Sequence, residues 1–259
     1  MVITLSFDIE EFDFPLELGR PIDFSRQLEV STQGLVSILT LLAKYDVHAT
    51  FYVTANYALN KPEMVREIVT RGHEVASHDY YHSATKNADP VGAKSVLEKI
   101  TGVPVVGFRA PRLGRMASAE LAKAGYKYNA SLNPTFIPGR YNNLAKPRTV
   151  FCEEGLILYP TSVSCPFRIP LFWISLHVMP FGLYRLLAQS ALRKDGHLHL
   201  YFHPWEFSSQ LKDPSFGVPS YISRCSGEAY LAKLERLIVF LSSKNHRFIT
   251  TKEYLCPDE

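Results

Sequence analysis

The spacing of apolar positions changes period repeatedly along the chain. Val2 to Phe7 is a short β-rich run, and Thr32 to Tyr45 then places Leu35, Ile38, Leu39 and Leu42 at helical spacing. Ala49 to Thr54 reads as a second, buried strand. Lys61 to Arg71 predicts a helix with Pro62 in its first turn and Gly72 just past its end. His73 to Ser77, Val105 to Arg109 and Tyr126 to Ser131 read as strands three to five. Between them, Asp89 to Thr101 and Ser118 to Gly125 predict helices capped by Asp89 and Ser118. His197 to His203 and Arg247 to Thr251 look like the last strands, with a strong helix over Glu228 to Lys244 between them. Such βα alternation predicts an α/β chain with a parallel sheet, closed or wound, and helices outside.

The middle breaks the rhythm. Pro134 to Tyr159 is rich in Pro, Gly, Asn and Arg and reads as a long loop with short strands. Pro166 to Leu192 is apolar and aromatic, bordered by Arg168, Arg185 and Arg193. It reads as a core helix with an irregular lead-in, or as a greasy surface for a membrane interface or a subunit partner. Residues 1–259 are expected to form a single domain, with residues 134–192 as an irregular apolar insertion.

Composition adds limits. The chain has 259 residues, 46% of them hydrophobic and 20% charged, with a formal net charge of +3. The charges are dispersed, with no run of Lys or Arg, so no nucleic-acid partner is expected. The four cysteines, Cys152, Cys165, Cys225 and Cys256, form no C-x-x-C pair and are expected to be free thiols in a reducing compartment. The N-terminus runs straight into a strand interrupted by Asp8 and Glu10, which does not fit a secretory signal, and the expectation is cytoplasmic.

Chemistry-bearing residues gather at strand ends. Ser77-His-Asp-Tyr-Tyr-His82 puts two histidines four apart, as on one helical turn, directly after strand three. Phe7-Asp-Ile-Glu-Glu11 ends strand one, and extended geometry sends Asp8 and Glu10 to one side, Ile9 and Glu11 to the other. Paired carboxylates are costly unless a cation balances them. With His78 and His82 they make a His₂-carboxylate metal site plausible, leaving open positions. Arg109 ends strand four, where it would pair with a carboxylate and keep it ionised. His203 ends a late strand and could protonate a leaving amine. One barrel mouth would collect all of them.

These motifs resemble the polysaccharide deacetylase family of the NodB-homology type. Ser6-Phe-Asp-Ile-Glu-Glu-Phe12 is closer to the D-V-E-D-Y branch than to the common T-F-D-D-G form. Ala49-Thr-Phe-Tyr-Val53 resembles A-T-F-F-V, and Arg71-Gly-His-Glu-Val-Ala-Ser-His-Asp-Tyr-Tyr-His82 resembles G-H-E-I-x-S-H-x-x-x-H. Thr101 to Pro111, Gly125 to Ser131 and Leu200 to Glu206 resemble the remaining motifs in order. The resemblance implies a distorted (β/α) barrel of about seven strands holding one divalent metal. Zinc is the expected ion, with cobalt, nickel, manganese and iron as alternatives. It implies Asp8 as catalytic base, His78 and His82 as metal histidines, Arg109 as the arginine holding the base, and His203 as general acid. Glu10 is implied as the metal carboxylate, with Glu11 as the alternative. Asn129 stands where the branch usually has Asp.

The implied activity is hydrolysis of an N-acetyl or other N-acyl group on an amino sugar, in a polysaccharide or its precursor. Surface-polysaccharide biosynthesis is the expected setting, with contact to a membrane or lipid-linked glycan left open by the apolar segment. Tyr80, Pro111 and Trp205, next to the motifs, are candidate substrate-binding residues, as is Phe108. A backbone N–H near Ser131 is the candidate oxyanion donor. His197 and His199 are expected as hydrogen-bonded packing, and His48, His73, His177 and His246 as structural or exposed. The rival readings are hydrolysis of another C–N amide bond (a formamide or cyclic ureide), a carbohydrate-binding pseudoenzyme, and a non-haem iron oxygenase.

Overall fold

The structure is a computed structural model that describes residues 1–83 and 87–258. Seven parallel strands form the continuous path of a curled sheet: β1 (Val2–Ile9), β2 (Thr50–Val53), β3 (Glu74–Ser77), β4 (Gly107–Phe108), β5 (Tyr128–Asn129), β6 (Leu156–Leu158) and β7 (His197–Phe202), with an eighth short one, Arg247–Phe248, paired parallel to the start of β1. Their order is β7-β1-β2-β3-β4-β5-β6, with a short antiparallel strand, Phe151–Glu153, outside β6. The ring closes through the segment after β6: the Ser162 N–H donates to the His199 carbonyl (2.9 Å), and the His199 N–H donates to Ser162 Oγ (2.9 Å). This is the distorted (β/α) barrel expected from the sequence.

Strand β1 shows how the barrel is filled. Ile3, Leu5, Phe7 and Ile9 are fully buried in the main apolar core. Thr4, Ser6 and Asp8, of opposite parity, make polar contacts instead, with Tyr159 and with Arg109. The interior therefore holds polar side chains among aromatic ones, and the apolar effect acts chiefly between sheet and helices.

Several elements differ from the pattern-based expectation. The first long helix begins at Phe24, not Thr32, and runs to Lys44. Its early turns bury Gln27 and Ser31 beside Leu28 and Val30, so no apolar stripe marks them. Gly34 in this helix is required by packing, because a Cβ there would lie 1.7 Å from the Pro204 carbonyl oxygen. A short helix, Ala55–Asn60, follows β2 and is capped by the Thr54 side chain. Asp89 caps its helix as expected, whereas Ser118 does not: its hydroxyl bonds Glu153. The last expected strand shortens to Arg247–Phe248, because Thr250 starts a helix with a capping box closed by Glu253.

Residues 134–192 contain a hairpin, Phe136–Ile137 with Tyr141–Asn142, and two helices, Trp173–Val178 and Phe181–Asp195. The second helix buries Tyr184, Ala188, Ala191 and Leu192 and leaves Leu183 and Leu186 exposed. All four cysteines are thiols. Among the described residues, no helix is long and apolar enough to cross a membrane.

Candidate active site

The chemistry lies where the C-terminal ends of β1, β3, β4 and β7 meet. Asp8 closes β1 and faces Arg109, which follows β4, at 2.5 Å. Arg109 has no exposed surface. Its remaining donors reach Ser6 Oγ (3.0 Å), His199 Nε2 (2.8 Å) and the Ala130 carbonyl (3.2 Å). Tyr52 lies 3.9 Å from the guanidinium carbon and Tyr201 5.2 Å. Burial is the largest single influence and works against this cation, but Asp8, Tyr52 and Tyr201 together outweigh it and raise the Arg109 pKa. A fully bonded, always-charged group so held can only fix Asp8 in place. His199 accepts from Arg109 and donates Nδ1–H to the Pro160 carbonyl (3.1 Å), so it is a neutral prop for the arginine.

Glu10 Oε2 faces His78 Nε2 at 3.3 Å and His82 Nε2 at 3.0 Å. Each imidazole turns its other nitrogen outward. His78 Nδ1 meets the Arg109 carbonyl at 2.8 Å, and His82 Nδ1 meets Asp13 Oδ1 at 2.8 Å. With Nδ1–H donated to those acceptors, both Nε2 lone pairs converge on the Glu10 oxygen. That oxygen is buried and has no hydrogen-bond partner, whereas Oε1 accepts from Trp205 Nε1 (3.0 Å). Without a cation the same geometry is balanced by protons. Burial raises the Glu10 pKa, but protonated His82, itself raised against burial to about 9 by Glu10 and Asp13, together with His78 and His203 more than reverses this and holds the carboxyl far below the usual range.

These three donors fit a divalent cation. Ligand distances of about 2.0–2.2 Å put neighbouring donors roughly 3.3 Å apart, close to the separations here. A buried carboxylate oxygen aimed at two lone pairs is otherwise unfavourable. Asp13, Glu17 and His82 also come within ligand distance of one another, but Asp13 and Glu17 already pair with Arg112, at 3.4 and 2.6 Å.

The two histidines do not sit on a helical turn. Asp79 takes a left-handed conformation (φ 62°), and the loop itself brings the rings to a near-parallel 5.8 Å. Glu11 turns away, as strand parity requires, to accept from Thr54 Oγ1 (3.2 Å) and Asn56 Nδ2. Of the two candidate carboxylates, Glu10 is the one placed with the histidines.

His203 follows β7, with Nε2 at 4.0 Å from Asp8 Oδ2. Its ring stacks on Trp205 (4.9 Å, 19°) and meets the edge of Trp173 (5.2 Å). Burial disfavours charge on His203, but its hydrogen bond to Glu206 and the carboxylates around it raise its pKa. Between Asp8, Glu10, His82 and His203 opens a cavity of about 420 Å³, walled mainly by aromatic and apolar side chains.

The substrate candidates fare unevenly. Trp205 lines this cavity, but its indole N–H is engaged by Glu10. Tyr80 packs on Tyr81 at 4.7 Å and is outside the lining, because Asp79 redirects the chain. Pro111 opens a 3-10 turn and leaves the wall to Arg112 and Leu113, both at positive φ. Phe108 is a core residue whose ring is tilted against Tyr126 (5.2 Å, 59°). The Ser131 N–H is taken by Asn129 Oδ1 (3.0 Å), so it is no oxyanion donor as it stands. Asp13, Trp173 and Glu206 were not singled out from the sequence. Only Glu206 left a trace there, as the last residue of His203-Pro-Trp-Glu206.

A model of the polysaccharide deacetylase family matches residues 23–129. A peptidoglycan deacetylase of Helicobacter pylori is 32% identical over 43% of this chain and 41% of its own length. A chitooligosaccharide deacetylase of a Bradyrhizobium strain is 40% identical over 20% of this chain and 24% of its own. The matched stretches thus span less than half the length of these curated relatives. A crystal structure from Mycobacterium smegmatis, assigned to the polysaccharide deacetylases, covers 98% of this chain and 88% of that one, with a TM-score of 0.66 at 20% identity. The chain is thus similar to the polysaccharide deacetylase family over residues 23–129, and it shares its fold with the Mycobacterium smegmatis structure.

Proposed function

We propose that this chain is a metal-dependent hydrolase that removes an N-acetyl group from an amino sugar, in a polysaccharide or its precursor. The observation that carries the reading is the orphaned, buried Glu10 Oε2 beside His78 Nε2 and His82 Nε2, two residues along the chain from Asp8 of the Asp8–Arg109 pair. Glu10, His78 and His82 would hold the ion, with zinc the first choice for such donors. The ion would supply the Lewis acidity that polarises the acyl carbonyl and lowers the pKa of water. Asp8 takes a proton from the attacking water, and Arg109 holds Asp8 in place. His203 gives a proton to the departing amine, a poor leaving group without it. The apolar cavity wall excludes bulk water and suits the face of a sugar ring. The peptidoglycan and chitooligosaccharide deacetylases among the relatives favour an N-acetylated amino sugar over other amides. A cytoplasmic enzyme would meet a nucleotide- or lipid-linked precursor.

The test is amine release from a panel of N-acetylated sugars and oligosaccharides by metal-loaded protein. Turnover that disappears in Asp8→Asn and His203→Ala supports the reading. Wild-type protein that binds metal but releases no amine from any member contradicts the substrate assignment.

A further inference from the structure

We propose that Glu206, backed by His177, is the positioning carboxylate for His203; this rests on the reading above that His203 protonates the leaving amine. Glu206 lies in the turn Pro204–Phe207 and has no exposed surface. Its Oε1 accepts the His203 backbone N–H (2.6 Å) and faces His203 Nδ1 (2.8 Å). One oxygen therefore fixes both the backbone and the ring of the same residue. With Nδ1–H given to Glu206, Nε2 is the nitrogen left for the cavity, on the side of Asp8. Trp205 and Trp173 hold the ring plane, and the close seat of Pro204 on Gly34 holds the turn.

The other oxygen, Oε2, faces His177 Nε2 at 3.2 Å. His177 is buried, lies flat on Tyr230 (3.7 Å, 5°), and its Nδ1 has no hydrogen-bond partner. The nitrogen that can donate usefully is therefore Nε2, towards Glu206, because an N–H at Nδ1 would be buried without an acceptor. Among the described residues, the groups in contact with His177 supply no second carboxylate. Trp173 meets its ring edge, Lys233 Nζ bonds the Leu176 and His177 carbonyls, and Tyr230 bonds the Trp173 carbonyl. Glu206 is thus one carboxylate between two imidazoles, with its charge directed at His203. Asn129 does not compete for this task, because its Oδ1 bonds Ser131.

In the step itself the C–N bond breaks and its electron pair stays on nitrogen. That nitrogen takes the proton from His203 Nε2, and the ring is left neutral with Nδ1–H on Glu206. A neutral side chain at 206 would weaken the orientation and the stabilisation of the imidazolium, and ground-state binding would be spared.

The experiment compares metal-loaded wild type, Glu206→Gln and His177→Phe on two probes, a chitooligosaccharide and 4-nitrophenyl acetate. The phenolate leaves without a proton, so ester hydrolysis does not need His203. Glu206→Gln is expected to lower kcat on the amide roughly 100-fold with KM unchanged and ester turnover retained. His177→Phe should give the same split, smaller. Proton NMR of the His203 Nδ1–H adds a readout independent of amide turnover: a downfield resonance in wild type, lost in Glu206→Gln. If wild type releases no amine but shows that resonance and its loss, the positioning role stands and the substrate reading falls. Equal losses on both probes, or a resonance unchanged in Glu206→Gln, would overturn the proposal. Should Glu206→Gln not fold, Glu206→Asp keeps the charge but shortens its reach, and the same amide-against-ester split is expected.

Discussion

Two buried glutamates sit at opposite ends of the same barrel and are satisfied in opposite ways. Glu74 opens β3 at the lower end. Its Oε1 accepts from Tyr128 (2.7 Å), and its Oε2 accepts from Thr50 Oγ1 (2.8 Å) and the Lys252 N–H (2.9 Å). Glu10 lies at the mouth with one oxygen bonded to Trp205 and the other facing only histidine nitrogens. Burial dominates at Glu74 and raises its pKa, whereas at Glu10 the histidines override burial. Residue type and depth are alike, so the difference lies in what the oxygens face. A closed set of hydroxyls and an amide ties the C-terminal helix to the sheet. An open set of convergent donors has the geometry of a candidate cation site.

That contrast can be broken from several directions. Asp8→Asn should lower kcat by roughly 1000-fold or more while substrate affinity persists, because a general base acts on the transition state. Parallel kcat and KM measurements check this, and retained turnover would remove Asp8 from the reaction. Glu74→Ala should leave kcat and metal content unchanged but cost about 2–4 kcal/mol of stability, since it strands buried donors. A urea midpoint equal to wild type would contradict the structural role. Trp205→Phe removes the donor on Glu10 Oε1 and should weaken metal affinity roughly 10-fold, as loss of outer hydrogen bonds does. A competitive chelator titration reads it, and unchanged affinity would show that the bond does not orient Glu10.

The smallest effect concerns His73, also at the lower end. Burial, aided by His48 and Arg71, pulls its pKa from 6.5 down to about 4. Between those values the unfolded chain binds the extra proton, so its contribution to stability is lost as pH falls from 6.5 towards 4. His73→Phe should flatten that part of the stability profile and leave the mouth unaffected. An identical acid limb in the variant would place the titration elsewhere.

The mouth was more legible in the sequence than the lower end. Asp8, His78, Arg109 and His203 each terminate a strand, and strand ends can be read from short apolar runs. Strand parity alone separates Glu10 from Glu11. What could not be read comes from long-range contact. Asp13 and Glu206 act through His82 and His203, and nothing in their own spacing marks them. The early turns of the first helix bury Gln27 and Ser31, the latter bonding the Glu10 carbonyl at 2.7 Å, so an apolar pattern cannot find them. Tyr80 and Pro111 looked like cavity residues by proximity, but positive φ at Asp79 and at Arg112 turns the chain at those points.

The most direct measurement is divalent metal per chain by elemental analysis, in wild type, Glu10→Gln and Glu74→Ala after equal loading. One ion in wild type and Glu74→Ala, with loss in Glu10→Gln, is the predicted result. The same content in wild type and Glu10→Gln, or no ion in wild type, would contradict the account.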